Sequence, residues 1–126
     1  MRGRRLWLKV AAHGGSIPVY VTKDPIIDEN GDECDAYWDR EDNEIVIRAY
    51  ENISVMKQRL HHELLHVCFG AHTGQAREDV LGGATPEARD DREEKIVGFI
   101  EPIQFDILVR NGWLKYPNPP KFRVKK

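Results

Sequence analysis

Cysteine is scarce in this 126-residue chain: Cys34 and Cys68 are the only two, too few for a disulfide framework. Cys68 falls within an apolar helical pattern, which predicts a small buried residue. Long apolar runs are missing as well. No stretch approaches the length of a membrane-spanning helix. Near the N-terminus Lys9 ends the apolar run Leu6-Trp7-Leu8, which is too short for the core of a secretory signal. Charge of one sign is also lacking. The net charge of −2 excludes a general electrostatic attraction to nucleic acid. There is no internal repeat and no linker, and the length suits one domain over residues 1–126 rather than two. These absences predict a single-domain cytoplasmic protein with no membrane partner.

The charge that is present is unevenly placed. Residues 24–51 are strongly acidic, whereas residues 2–9 and 115–126 carry basic side chains and no acidic ones. Basic ends can contact a phosphate backbone, but Y-P-N-P-P-K-F-R-V-K-K reads first as an extended, solvated tail over about residues 115–126.

Residues 6–12 alternate weakly and Gly14-Gly15 marks a turn. I-P-V-Y-V-T, residues 17–22, predicts a strand, and Pro18 pushes it toward a sheet edge or a strand start. Residues 24–33, with D-P and N-G, predict a loop. Residues 34–39 and 44–48 predict a hairpin joined by residues 40–43. A helix follows, capped by Ser54, with Val55, Met56, Leu60, Leu64 and Val67 at helical spacing and a stop at Gly70. A second helix is expected from Pro86, capped by Thr85. It carries Ile96, Val97, Ile100, Ile103 and Ile107 on one inward face, Pro102 as a kink or interruption, and Asn111-Gly112 at its end. Strands first and helices after predict an α+β fold: a small N-terminal sheet followed by two packed helices.

Residues 60–72, L-H-H-E-L-L-H-V-C-F-G-A-H, hold four of the five histidines. His62 and His66 are one helical turn apart on one face, so their imidazoles can meet one metal ion. Glu63 lies on the adjacent flank, too far round to be an easy ligand but placed to touch a water on that metal. Zinc lowers the pKa of its water to about 7, and a carboxylate beside it can take the proton during attack on a carbonyl. That division of labour is the physical content of H-E-x-x-H. The bland alternative is a helix with a satisfied histidine pair.

A catalytic zinc usually takes three protein ligands. Glu93 is favoured as the third, because it shares a helical face with Val97 and Ile100, and a charge on an inward face needs a partner. Glu94 is turned about 100° from it, and either acid can also serve the helix N-terminus. His72 stands at the spacing of H-E-x-x-H-x-x-G-x-x-H sites, but the glycine, Gly70, comes one position late and no methionine lies downstream. His61 and Cys68 point away from the expected metal. For stabilising an oxyanion, Arg48, His61, His72 and Tyr116 are equal candidates.

The strand E-I-V-I-R, the capped helix with R-L-H-H-E-L-L-H, and the helix E-E-K-I-V-G-F-I-E-P together resemble the short zincins encoded by phages and bacteria. These are related to the ImmA/IrrE-type metallopeptidases and, more distantly, to SprT-like proteases. The resemblance covers roughly residues 40–105. It implies a minimal zincin-like fold and a zinc peptidase with His62, His66 and Glu93 as ligands and Glu63 as the catalytic glutamate. The chain departs from the ImmA/IrrE pattern after the last ligand, where only the paired glutamates and Glu101-Pro102 correspond, which leaves Glu93 and Glu94 both open.

The expected function is therefore zinc-dependent hydrolysis of peptide bonds in a protein or peptide substrate. The strand at residues 44–48 is expected to bind an extended substrate by strand addition. The alternative is a non-catalytic module in which zinc closes the fold with four protein ligands and the basic ends contact DNA or a protein partner.

Overall fold

The structure is a computed structural model, and it describes residues 3–12, 15–70, 79–82 and 85–121. The fold is α+β. Six strands, β1 (Arg4–Ala12), β2 (Gly15–Thr22), β3 (Ile26–Ile27), β4 (Glu33–Cys34), β5 (Ala36–Asp39) and β6 (Glu44–Arg48), precede two long helices, α1 (Ile53–Gly70) and α2 (Pro86–Arg110). A short helical turn at residues 79–81 makes a third helical segment among the described residues, where the sequence had suggested two. The chain divides into two compact units, Met1–Leu60 with Tyr116–Lys126, and His61–Lys115, the boundary falling inside α1.

In the first unit a four-stranded mixed sheet runs β1-β2-β6-β5, with β2 and β6 parallel and the outer pairs antiparallel. The consecutive buried run Ile45-Val46-Ile47 has the pattern of a strand covered on both faces. Ile17, Val19 and Val21 of β2 alternate into the same core, which Met56 and Leu60 also join. The predicted hairpin is β5 and β6, turning at Asn43, which takes positive φ (51°).

Two expectations about the sheet fail for one reason, chain order. β2 is not an edge: the sequence-adjacent β1 covers one side and the later β6 the other. Pro18 is tolerated because pairing with β6 begins only at Val19, so the proline has a neighbour on one side only. β6 likewise lies between β2 and β5, which removes it as a site for strand addition. The expected loop at residues 24–33 contains β3, which pairs with β4 and buries Ile26.

As far as Lys121 the tail is extended, as expected, but tied down where it was expected to be solvated. Trp7 donates from Nε1 to the carbonyl of Pro117 (2.9 Å), and Arg5 to that of Lys121 (2.9 Å). Pro119 is buried.

The cap of α1 is Asn52, not Ser54: its side-chain oxygen accepts from the Ser54 amide at 2.9 Å. Such caps contribute about 1 kcal/mol. Cys68 is exposed rather than buried, and neither cysteine is in a disulfide. α2 starts as expected, with the Thr85 hydroxyl accepting from the Ala88 amide (3.1 Å) and proline in the first turn. It then runs through Pro102 without interruption. The residue four before this proline, where a ring would crowd the preceding turn, is Gly98, with open space around it.

The inward face of α2 differs from the one the apolar residues suggested. Glu93, Val97 and Glu101 are its buried residues, whereas Ile100, Ile103 and Ile107 are exposed. The helix is rotated so that its carboxylates meet the histidines of α1, because a buried charge demands a partner more strongly than an isoleucine demands cover.

Candidate metal centre

Every residue of the candidate centre lies in the second unit. The helical repeat of α1 sets His62 and His66 side by side, their ring centroids 5.0 Å apart in an edge-on arrangement. From α2, three glutamates meet them at spacings of one, seven and eight residues, which brings Glu93, Glu94 and Glu101 to one side of the helix.

Each ring is held at both nitrogens. His66 donates from Nδ1 to Glu93 Oε2 at 2.7 Å, and its Nε2 stands 2.8 Å from Glu94 Oε2. The Nδ1 atom of His62 stands 3.4 Å from Glu101 Oε1, and its Nε2 lies 3.2 Å from Glu94 Oε1. The two Nδ1 atoms thus face the two buried carboxylates. The two Nε2 atoms face one carboxylate, Glu94, whose side chain is 61% exposed.

The third-ligand candidates separate on this geometry. Glu93 is inward, as expected, but it reaches the back of His66 rather than the tip. Glu94 spans both tips. Helical phase alone selects the buried acid, Glu93, whereas the exposed one, Glu94, meets the two tips. His62, His66 and Glu94 offer donor atoms all within 4.8 Å of one another. Four donors about 2.0–2.1 Å from a tetrahedral ion stand roughly 3.4 Å apart, so these three are residues that could hold a metal ion after the donors draw closer. Carboxylates behind both imidazoles are also what orients ligating histidines and makes them more basic.

Comparison with protein-family models, curated proteins and solved structures finds no match. The centre therefore rests on its own geometry.

Glu63, in the same turn as His62, is buried, and its charge helps raise the pKa of both histidines. His61 is set apart from the cluster: its Nε2 meets Gln104 Oε1 at 2.8 Å and its ring packs at 5.5 Å from that of Phe105. That is a structural role, and Gln104 could not have been paired with it from sequence spacing. Of the other oxyanion candidates, Arg48 bonds to Glu33 (2.6 Å), Tyr116 belongs to the first unit, and His72 lies outside the described residues. Glu101 was not among the sequence candidates; its only signal is its place two turns beyond Glu93 and Glu94.

Without metal the cluster is an ion network. Burial alone pulls His66 down, but hydrogen bonds to Glu93 and Glu94, with the charges of Glu63 and Glu94, raise it to about 9. The bond to Glu94 raises His62 against its burial. Hydrogen bonds from His62 and then His66 hold Glu94 well below the usual carboxylate range.

The sign of the resulting pH dependence follows. A raised histidine contributes stability that is full below about pH 6.5 and is lost as pH climbs through its folded value. Chelator-treated protein should therefore lose on the order of 1–3 kcal/mol between about pH 6.5 and 9. His66→Ala should flatten that slope. Zinc-loaded protein should show the opposite slope, because metal and protons compete for the same nitrogens. Thermal melts across pH with and without zinc check both; parallel curves would exclude competition at His66.

Proposed function

We propose that this chain is a zinc-dependent peptidase, with His62, His66 and Glu94 holding the metal through two Nε2 atoms and a carboxylate. The observation that carries the reading is the division of the acids. Glu93 and Glu101 face the Nδ1 atoms, and Glu94 faces both Nε2 atoms. An ion pair with no further task has no need of this sorting, whereas metal ligation does. This moves the ligand role from Glu93, the sequence candidate, to Glu94.

Zinc in such a centre supplies Lewis acidity toward a carbonyl oxygen and toward water. Glu63 accepts the proton of the attacking water and returns it to the leaving amine, the ordinary work of a general base and acid. Glu93 and Glu101 keep the imidazoles in the tautomer that leaves Nε2 free to ligate. A peptide bond is proposed as the substrate on the resemblance of the H-E-x-x-H helix to short zincins.

The rival reading, a zinc-stabilised binding module, requires a fourth protein ligand. Of the two candidates for that place, Glu93 is engaged at the back of His66, and His72 lies outside the described residues.

Purified protein should hold about one zinc per chain, and His66→Ala almost none. Zinc-loaded protein should cleave a mixed peptide library, and chelation should stop it. Equal zinc in wild type and His66→Ala would overturn the metal centre. A zinc-loaded protein that cleaves nothing would favour the binding module.

A further inference from the structure

We propose a ligand site in the first unit, a cavity that takes the apolar C-terminal residue of a peptide, with its side chain against Tyr50, Met56 and two tail prolines and its carboxylate at Lys23 and Lys121. Every lining residue belongs to the first unit, whereas the metal centre belongs to the second. The cavity measures about 440 Å³, within the range of roughly 300–1,000 Å³ usual for small-ligand sites. Three segments build it: Lys23 just after β2, the stretch from Ala49 to Met56 that leads into α1, and Pro119, Pro120 and Lys121 of the tail. The chain around the cavity holds it open. The tail is pinned on both sides of its two prolines, by Trp7 on the Pro117 carbonyl (2.9 Å) and by Arg5 on the Lys121 carbonyl (2.9 Å). Proline rings fix φ, so this wall has few ways to fold inward. The turn after β6 is fixed as well, since the Ala49 amide donates to the Thr22 carbonyl at 2.8 Å. A site built before its ligand arrives loses less freedom on binding.

The lining is mostly apolar, and its charges choose the ligand. Tyr50 donates its hydroxyl to Asp35, so it offers a ligand its ring rather than its polar group. Asp35 is also paired with Arg59 (3.3 Å). Lys23 and Lys121 bring two ammonium groups to the cavity, and Glu51 brings one carboxylate. Beyond Lys121 the sequence F-R-V-K-K adds three basic residues and no acid. This balance favours an anion with an apolar body. The last residue of a peptide carries a side chain and a carboxylate on one α-carbon, and the cavity is open on one side, which leaves a way out for the rest of the peptide. The choice of a peptide end over another apolar acid rests on the peptidase reading, since hydrolysis leaves a new C-terminal carboxylate. The cavity and its preference for an anion do not rest on it.

Titration of N-acetyl-alanyl-phenylalanine into the isotope-labelled full chain, followed by NMR, tests the site. The expected result is saturable shifts of the Tyr50, Glu51 and Lys121 amides, with a dissociation constant on the order of 1 mM or below for so small a ligand, with or without zinc. The C-terminal amide of the same peptide should bind roughly 10-fold more weakly, because it carries no charge. Lys121→Glu should weaken binding of the acid by a similar factor at an unchanged melting temperature, since its side chain is exposed and its backbone carbonyl still accepts from Arg5. Glu51→Gln should tighten binding about twofold or more, because it removes the one repelling charge. Hexanoate, an apolar acid that is not a peptide, should bind more weakly than the peptide acid. No shift at several times the expected dissociation constant would overturn the site. Equal binding of acid and amide, or weaker binding to Glu51→Gln, would overturn its preference for an anion. Hexanoate as the tighter ligand would overturn the peptide end. Binding by a zinc-loaded chain that cleaves no peptide would uphold the cavity and count against the peptidase reading alone.

Discussion

Glu94→Ala should lose its zinc, while Glu93→Ala should keep it at reduced affinity. Glu94 contacts the Nε2 atoms of both histidines, at 3.2 and 2.8 Å. Removing it takes away a donor and leaves two imidazoles, too few for a firm catalytic zinc site. Glu93 sits behind His66, so its loss frees that ring to turn and costs about 10–100-fold in metal affinity. Glu101→Ala should act in the same way through His62, more weakly, because its contact is 3.4 Å. The two losses also differ in the metal-free state. Glu93→Ala strips a buried partner from a largely buried histidine, so it should lower the apo melting temperature as well. Glu94 is mostly exposed, and its variant should lose less stability without metal than it loses in zinc binding. Chelator competition and thermal melts on the three variants resolve the assignment. Zinc retained in Glu94→Ala and lost in Glu93→Ala would return the ligand role to the buried acid.

Glu63→Gln should retain zinc and lose peptide hydrolysis by roughly 10²–10⁴-fold, the usual contribution of a general base. The amide keeps the shape of the side chain but cannot take a proton. The charge of Glu63 also raises the pKa of both histidines. In the variant, protons should therefore compete less with the metal, so zinc binding near neutral pH should hold or tighten slightly. The split between metal content and turnover separates a base from a ligand. Undiminished turnover of any peptide cleaved by wild type would remove Glu63 from the mechanism. A parallel loss of zinc and activity would place it among the ligands.

Much of the secondary structure was legible because its signals are local. The alternation in β2, the hairpin of β5 and β6, and the Thr85 cap with its first-turn proline each depend on residues within a few positions of one another. The first histidine pair was legible for the same reason, since one helical turn brings His62 and His66 together whatever surrounds them. The errors fall where a residue's partner is distant in the chain. Ser54 is the expected cap but Asn52 serves, because both residue types cap well and only the backbone's entry into α1 selects between them. Cys68 was placed inside because it sits among apolar neighbours, but one helical position decides whether a side chain faces a partner or water.

α2 shows the limit most clearly. Seven of its isoleucine, valine and glutamate positions form two neighbouring stripes. One is apolar at residues 96, 100, 103 and 107, and the other is acidic at residues 93 and 101 with Val97 between them. Counting hydrophobic residues selects the first as the core. The structure selects the second, because His62 and His66 on α1 supply partners for buried carboxylates, and no sequence spacing within α2 carries that information. The choice between Glu93 and Glu94 has the same origin. The sequence determined that two histidines and a glutamate share a helix, and that acids follow on the next helix. Tertiary packing decided which acids lie behind the rings and which one meets their tips, because that depends on the rotation of α2 against α1, a long-range contact that neither helix specifies alone.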